Sequence, residues 1–209
     1  MADTPFVTFE GIEGSGKSTQ LARLSQHLTR RGIVHRTTRE PGGTPLADQI
    51  RSLLLSPREE EVCSETELLL YAASRAQHVR SVVLPALAGR LPVLCDRFLD
   101  ATCAYQGAAR GLDRAAIDWL NAYAAGEAKP ALTLLFDVPV AVGFARVSAR
   151  GGAPDRLESE SHRFHERVRE GYLELAAREP GRIVVIDATP SPDRVHDAVL
   201  AVVAERFAW

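Results

Sequence analysis

Lysine is nearly absent from this chain. Of 25 basic residues among 209, only Lys17 and Lys129 are lysines. Arginine serves wherever a surface cation is wanted, so a lysine marks a place where a compact ammonium differs chemically from a planar guanidinium fork. Cysteine is also scarce. Cys63, Cys95 and Cys103 are odd in number and show no C-x-x-C spacing, which excludes a disulfide framework and predicts reduced thiols in a cytoplasmic protein, packed as small apolar residues. Charge of one sign is lacking too. A net charge of -2 and a pI near 6.3 leave no basic field for a nucleic acid or an anionic membrane. No run approaches the ~18 apolar residues of a membrane span, and residues 1–5 show neither the basic region nor the apolar segment of a leader. Asparagine occurs once, at Asn121 before Ala122, so the N-K-x-D motif by which GTP switches read guanine is missing. Repeats, low-complexity tracts and Pro/Ser linkers are missing as well.

What is present begins with Gly11-Ile12-Glu13-Gly14-Ser15-Gly16-Lys17-Ser18, a complete G-x-x-x-x-G-K-[ST] loop followed by Thr19. It stands between the apolar run 6–9 and a helical pattern from 18 to about 30, the strand-loop-helix setting in which such a loop cradles a polyphosphate. Backbone N–H groups and the helix dipole meet the anion, Lys17 adds a point charge, and the Ser18 hydroxyl can ligate magnesium. A nucleoside triphosphate is the expected ligand.

Apolar content of 45% over this length suits one sizeable core, hence one domain over 1–209. Strands are expected near 5–10, 33–38, 91–95, 132–137 and 182–187, and helices near 17–31, 44–55, 64–88, 113–125, 139–149, 159–178 and 191–206. The runs 91–95, 132–136 and 183–186 are continuously apolar, as strands covered on both faces should be. The expected fold class is therefore α/β: a P-loop NTPase-type three-layer sandwich, with a five-stranded parallel sheet flanked by helices. Ser64 and Glu67 stand in capping-box spacing at the start of helix 64–88. Ligands of such sheets collect beyond the carboxyl ends of the strands, where Glu10-Gly11, Arg39-Glu40, Asp96-Arg97 and Asp137 should converge.

Asp96 directly after a buried strand can hold a magnesium shell, or act as an ordinary ion pair or helix cap; position alone leaves both open. Tyr71 and Arg75 lie i, i+4 on one helix face, an aromatic and a donor that together could stack on and hydrogen-bond a base. Gln106 carries donor and acceptor and can pair with a base edge. Six arginines fall between 146 and 169, interrupted by Gly151-Gly152-Ala153-Pro154, a loop that can hinge. The lid is set at about 146–160.

Five segments in this order resemble the thymidylate kinase family: the phosphate loop 10–20, Thr38-Arg-Glu-Pro-Gly-Gly-Thr44, Arg51-Ser-Leu-Leu-Leu55, Asp96-Arg-Phe98 with Ala104-Tyr-Gln-Gly107, and Ala149-Arg-Gly with Asp155-Arg-Leu-Glu158. The resemblance implies transfer of phosphate from ATP, with Mg2+, to dTMP. It implies further that Tyr71 stacks on thymine, Arg75 bonds its O4, Thr102 and Gln106 contact the base, and Tyr105 crowds the 2′ side of the sugar. Arg51 and Arg97 would hold the monophosphate, and Glu13, assisted by Glu40, would reach the 3′-hydroxyl or a magnesium-bound water. Arg150 and then Arg156 match the lid arginine that meets charge on the transferring group. Relatives are homodimers, and Val79, Val82 and Val83 could offer an apolar face for one, although core burial explains them equally well. The alternative reading is another small P-loop kinase with a different nucleoside monophosphate or metabolite as acceptor.

Overall fold

The computed structural model describes residues 4–151, 155–207 and 209. In chain order it runs β1 (Phe6–Glu10), α1 (Lys17–Arg30), β2 (Arg36–Arg39), α2 (Pro45–Leu55) and α3 (Ser64–His78), which continues through a π-helical turn at Val79–Val83 into α4 (Leu84–Ala88). Then come β3 (Val93–Asp96), α5 (Leu99–Thr102) with a π-helical extension over Cys103–Ala109, α6 (Arg114–Ala125), β4 (Leu132–Asp137), α7 (Val140–Arg150), α8 (His162–Arg178), β5 (Ile183–Asp187) and α9 (Pro192–Phe207). Among the described residues the strands form one sheet in the order β2-β3-β1-β4-β5, every pair parallel.

The sheet follows from the apolar runs. All five residues of β1 are buried, as are the first five of β4, so both faces are covered by helices. The larger core joins Phe9, Leu134 and Phe136 to Leu24 of α1, Val168 of α8 and Val199 of α9. A smaller one gathers Phe6, Val93 and Phe98 around Val79 and Val83. Val79 and Val83 are fully buried in the core, and Val82 between them is half-buried. The strand order turns about β1, and the loops beyond β1 and β3 open there on one crevice.

Four local expectations differ. β2 lies at 36–39 instead of 33–38, and α8 starts at His162, where the Ser161 hydroxyl accepts from the Phe164 N–H and caps it. The sequence pattern predicts no helix across 99–109, where the structure has one. Its π-helical winding, marked by the Arg110 N–H donating to the Tyr105 carbonyl at 3.0 Å, breaks the 3.6-residue period on which reading a helix depends. The capping box of Ser64 and Glu67 does not form: Cys63 is the cap residue, and Glu67 turns inward to Gln106, Arg110 and Arg156. Cys63 is exposed at that cap, while Cys95 is buried; all three thiols are free. Among the described residues no helix is long and apolar enough to cross a membrane.

Candidate active site

Gly16 precedes α1 at φ 92°, no side chain caps the helix, and no acidic residue stands in its first turn. The first N–H groups therefore face outward with the positive end of the helix dipole behind them, which is an anion site by geometry. The loop is held from behind. A Cβ on Gly14 would fall 2.2 Å from the Gly143 carbonyl oxygen, and one on Gly143 would fall 2.5 Å from that of Glu13, so α7 meets the loop backbone to backbone. Lys17 Nζ donates to the Ile12 carbonyl at 2.8 Å and lies 3.5 Å from Ser15 Oγ. Burial, and then the Arg97 charge, bring its ammonium down to about 8. Ser18 Oγ donates to Asp96 Oδ2 at 2.5 Å on the same rim. A hydroxyl and one carboxylate suit Mg2+, which takes few protein oxygens and completes its octahedron with phosphate and water. Among the described residues, no cluster of three His, Cys, Asp or Glu offers an all-protein metal cage.

A cavity of about 590 Å³ opens in front of the loop. Tyr71, Arg75, Thr102 and Gln106 line it, together with Glu13, Arg97, Arg150 and Leu157. Arg97 sits at φ 67°, a left-handed conformation that costs a non-glycine residue free energy. Glu10 holds it there: Oε1 accepts from the Phe98 N–H at 2.6 Å, and Oε2 accepts from Tyr172 Oη at 2.7 Å. The Arg97 guanidinium lies over the Tyr105 ring and donates to Glu13 Oε1 at 2.6 Å, which also accepts from Tyr105 Oη at 2.6 Å. Burial opposes the charge on Glu13, yet Arg97, His165 and Lys17 outweigh it and hold the carboxyl well below the usual range. Arg75 makes four donations, to Glu40, Asn121, the Phe98 carbonyl and Thr102. His78 takes the other oxygen of Glu40 and reaches Thr38 with its second nitrogen.

The thymidylate kinase family model matches residues 9–199. The chain belongs to that family. A thymidylate kinase of Geotalea uraniireducens (strain Rf4) is 51% identical over 208 residues, covering 97% of this chain and 98% of its own, and one of Trichlorobacter lovleyi is 52% identical over the same length. The crystal structure of thymidylate kinase from Ehrlichia chaffeensis superposes with a TM-score of 0.78 at 33% identity, covering 97% of this chain and 100% of that one. The sheet and its helices are thus the P-loop NTPase-type sandwich of the thymidylate kinases.

Measured against that family expectation, the structure gathers most of the candidate residues into one cavity: Glu13 through Thr19, Glu40, Arg51, Tyr71 and Arg75, and also Asp96, Arg97, Thr102, Tyr105, Gln106 and Arg150. Gly11 and Ile12 are not among its lining residues, and the Ile12 carbonyl accepts from Lys17 Nζ. Arg156 stays out. Its Nε donates to the Leu54 carbonyl at 2.7 Å and its Nη2 to Glu67 at 2.5 Å, so it fastens the later part of the lid segment to α2 and α3. Asp137 does not converge on the crevice either, because Arg169 grips both its oxygens at 2.7 and 2.9 Å. Both oxygens of Glu40 are taken by Arg75 and His78, which makes it a support for Arg75. Gly152, Ala153 and Pro154 of the expected hinge lie outside the described residues.

Sequence reasoning missed His165, Tyr172, Asn121 and His78. His165 Nε2 reaches the Leu157 carbonyl, and its Nδ1 lies 3.1 Å from Glu13 Oε2. The signal was available for two of them: His165 and Tyr172 are seven apart in the buried stripe of α8 and so share the face below the loop.

Glu10 gives the site a measurable pH dependence. Burial first, then the Asp100 charge, push its carboxyl up to about 8. Between the ordinary carboxylate range and that value the native chain keeps a proton that the unfolded chain has released, so stability falls as pH rises through the window. Glu10→Gln cannot titrate. The wild-type melting temperature should drop between about pH 6 and about pH 9, and the variant should lose several degrees less. Equal drops in the two proteins would refute this.

Proposed function

We propose that this chain transfers the γ-phosphoryl group of ATP to dTMP, giving dTDP for dTTP synthesis, and that the whole chain works as one domain. The observation that carries the reading is that a base-reading set, Tyr71 with Arg75 and Gln106, lines the same cavity as an anion-binding helix terminus and Arg97. A sugar or acid kinase has no use for such a set. In this reading Tyr71 stacks on thymine, Arg75, Thr102 and Gln106 bond its edge, and Tyr105 crowds the 2′ position, favouring a deoxyribose. Arg97 and Arg51 hold the acceptor monophosphate by their guanidinium forks. Glu13 fixes Arg97 and reaches the 3′-hydroxyl.

The acceptor is a phosphate oxygen already ionised near neutral pH, with a second pKa of ~6, so no general base is needed. Catalysis then consists of in-line positioning and charge stabilisation. Lys17 meets the β/γ-phosphates, and Arg150 closes from the lid. Ser18 and Asp96 would hold Mg2+, which when bound neutralises charge shared between the β- and γ-phosphates. On the ATP side, Ala188 and Pro190 line the cavity, and Arg146 donates to the Ala188 and Thr189 carbonyls, a support for the adenine end. The free thiols fit a cytoplasmic enzyme. A homodimer also belongs to the proposal. Its support is the exposed pair Trp119 and Tyr123 on α6, stacked 5.3 Å apart, with exposed Leu69 on α3.

The test is ATP-dependent phosphorylation across a panel of nucleoside monophosphates. The best acceptor should be dTMP, with dUMP, lacking one methyl, down by no more than ~10–200-fold. Equal efficiency on dCMP or dAMP overturns the proposal.

A further inference from the structure

Gln106 could present either end of its amide to a ligand, and the choice decides which base edge it can pair with. The structure makes that choice behind the cavity wall. Gln106 Nε2 donates to Glu67 Oε1 at 2.7 Å, and Glu67 is fully buried and does not itself line the cavity. Its carboxylate is further held by Arg110, whose Nη2 lies 3.2 Å from Oε2 and Nε 3.4 Å from Oε1, and by Arg156 at 2.5 Å. Two arginines keep it ionised, and an ionised carboxylate only accepts. The nitrogen of Gln106 therefore faces Glu67, and the oxygen is left for the cavity.

The pocket then offers a fixed pattern. Arg75 has only donors, and Gln106 contributes an acceptor. A donor beside an acceptor matches a base edge with a carbonyl next to a ring N–H, as in a 4-oxopyrimidine. It opposes a 4-aminopyrimidine, whose amino group would face Arg75 and whose bare ring nitrogen would face the Gln106 oxygen. We propose that Glu67, without touching the base, sets the base specificity of the acceptor pocket by locking the Gln106 amide with its oxygen toward the cavity. Glu67 is thus a positioning residue, and the inference rests on the acceptor reading above.

The experiment compares kcat/KM for dTMP and dCMP in the wild type, Glu67→Gln, Arg110→Met and Gln106→Leu, with melting curves for each. An amide at 67 both donates and accepts, so Gln106 is freed to turn. The dTMP:dCMP ratio should fall by ~10-fold or more in Glu67→Gln, a part of the discrimination that paired polar groups supply. Arg110→Met removes a cation and its long 3.4 Å contact to Oε1, but Glu67 remains an acceptor-only carboxylate paired with Arg156 and keeps its hold on Gln106, so the wild-type ratio should persist. In a Gln106→Leu background, Glu67→Gln should no longer change the ratio, because the group it positions is gone. An unchanged ratio in folded Glu67→Gln, or an equal shift in both backgrounds, overturns the inference. Should Glu67→Gln not fold, the wild type decides: an analogue of dTMP with carbon in place of N3 should lose ~10-fold or more in kcat/KM. Turnover equal to dTMP would refute an acceptor at that wall. A wild type that does not prefer dTMP at all would instead overturn the proposed function.

Discussion

Lys17→Ala is expected to lower kcat by ~10³-fold or more, the upper end of what one preorganised charge contributes to a transition state. Lys17 is 7% exposed at the root of the loop, and the other lysine, Lys129, is not among the residues that line the cavity, so nothing of its kind can take over. The fold should survive. Among the described residues the side chain bonds within its own loop, to Ile12 and Ser15, and losing such a bond costs about 1 kcal/mol. Lys17→Arg should be nearly as inactive, because a flat fork does not replace a point charge inside a ring of backbone N–H groups. Single-turnover phosphotransfer and thermal melting, run together, check this. Activity of the alanine variant within tenfold of wild type would remove the phosphate loop from the mechanism.

Removing Arg150 is expected to lower kcat by ~10²–10³-fold while changing the KM for dTMP far less, the pattern of an arginine that engages charge chiefly in the transition state. The structure narrows the candidates. Arg146 is bound to the carbonyls of Gly14, Ala188 and Thr189, Arg156 to Leu54 and Glu67, and Arg97 to Glu13. Among the described residues Arg150 pairs with one carboxylate, Glu158 at 2.6 Å, and its side chain, which lines the cavity, is 64% exposed. Breaking that surface pair costs little, so the guanidinium can swing. Arg156→Ala should act differently, through loosened closure of the segment 155–160, and should raise KM at least as much as it lowers kcat. Steady-state kinetics on the two variants separate these roles. If Arg150→Ala keeps kcat within about threefold, well short of such a contribution, the lid is only a cover.

How much could be read from the chain alone depended on the distance over which each feature is built. The phosphate loop is contiguous, and its function rests on backbone geometry that Gly, Lys and Ser specify locally, so eight residues sufficed. Strands β1 and β4 were legible because burial on both faces leaves no room for alternation. Tyr71 and Arg75 were legible as a pair because one helix turn relates them. The supports of the site were not, since they come from distant elements: Asn121 of α6 and Thr102 of α5 meet on Arg75, and Tyr172 of α8 meets Glu10 of β1. Glu67 shows the opposite failure. Local spacing made it a capping residue, but three donors reaching it from 39 to 89 residues away outcompete one backbone N–H. Composition could not rank the lid arginines either, because their ranking depends on which already have partners.

The backbone contact of Gly14 with Gly143 gives α7 the character of a lever resting on a fulcrum. With no side chain between them to absorb motion, a displacement of the phosphate loop passes directly into the helix. Arg150 stands seven residues further along, about 10 Å at the helical rise, so a tilt of about 10° at the contact would carry it about 2 Å. On the proposed mechanism, the seating of a triphosphate in the loop and the aim of Arg150 are then coupled through that contact, and a bulkier residue at position 143 would misalign the arginine without touching either substrate.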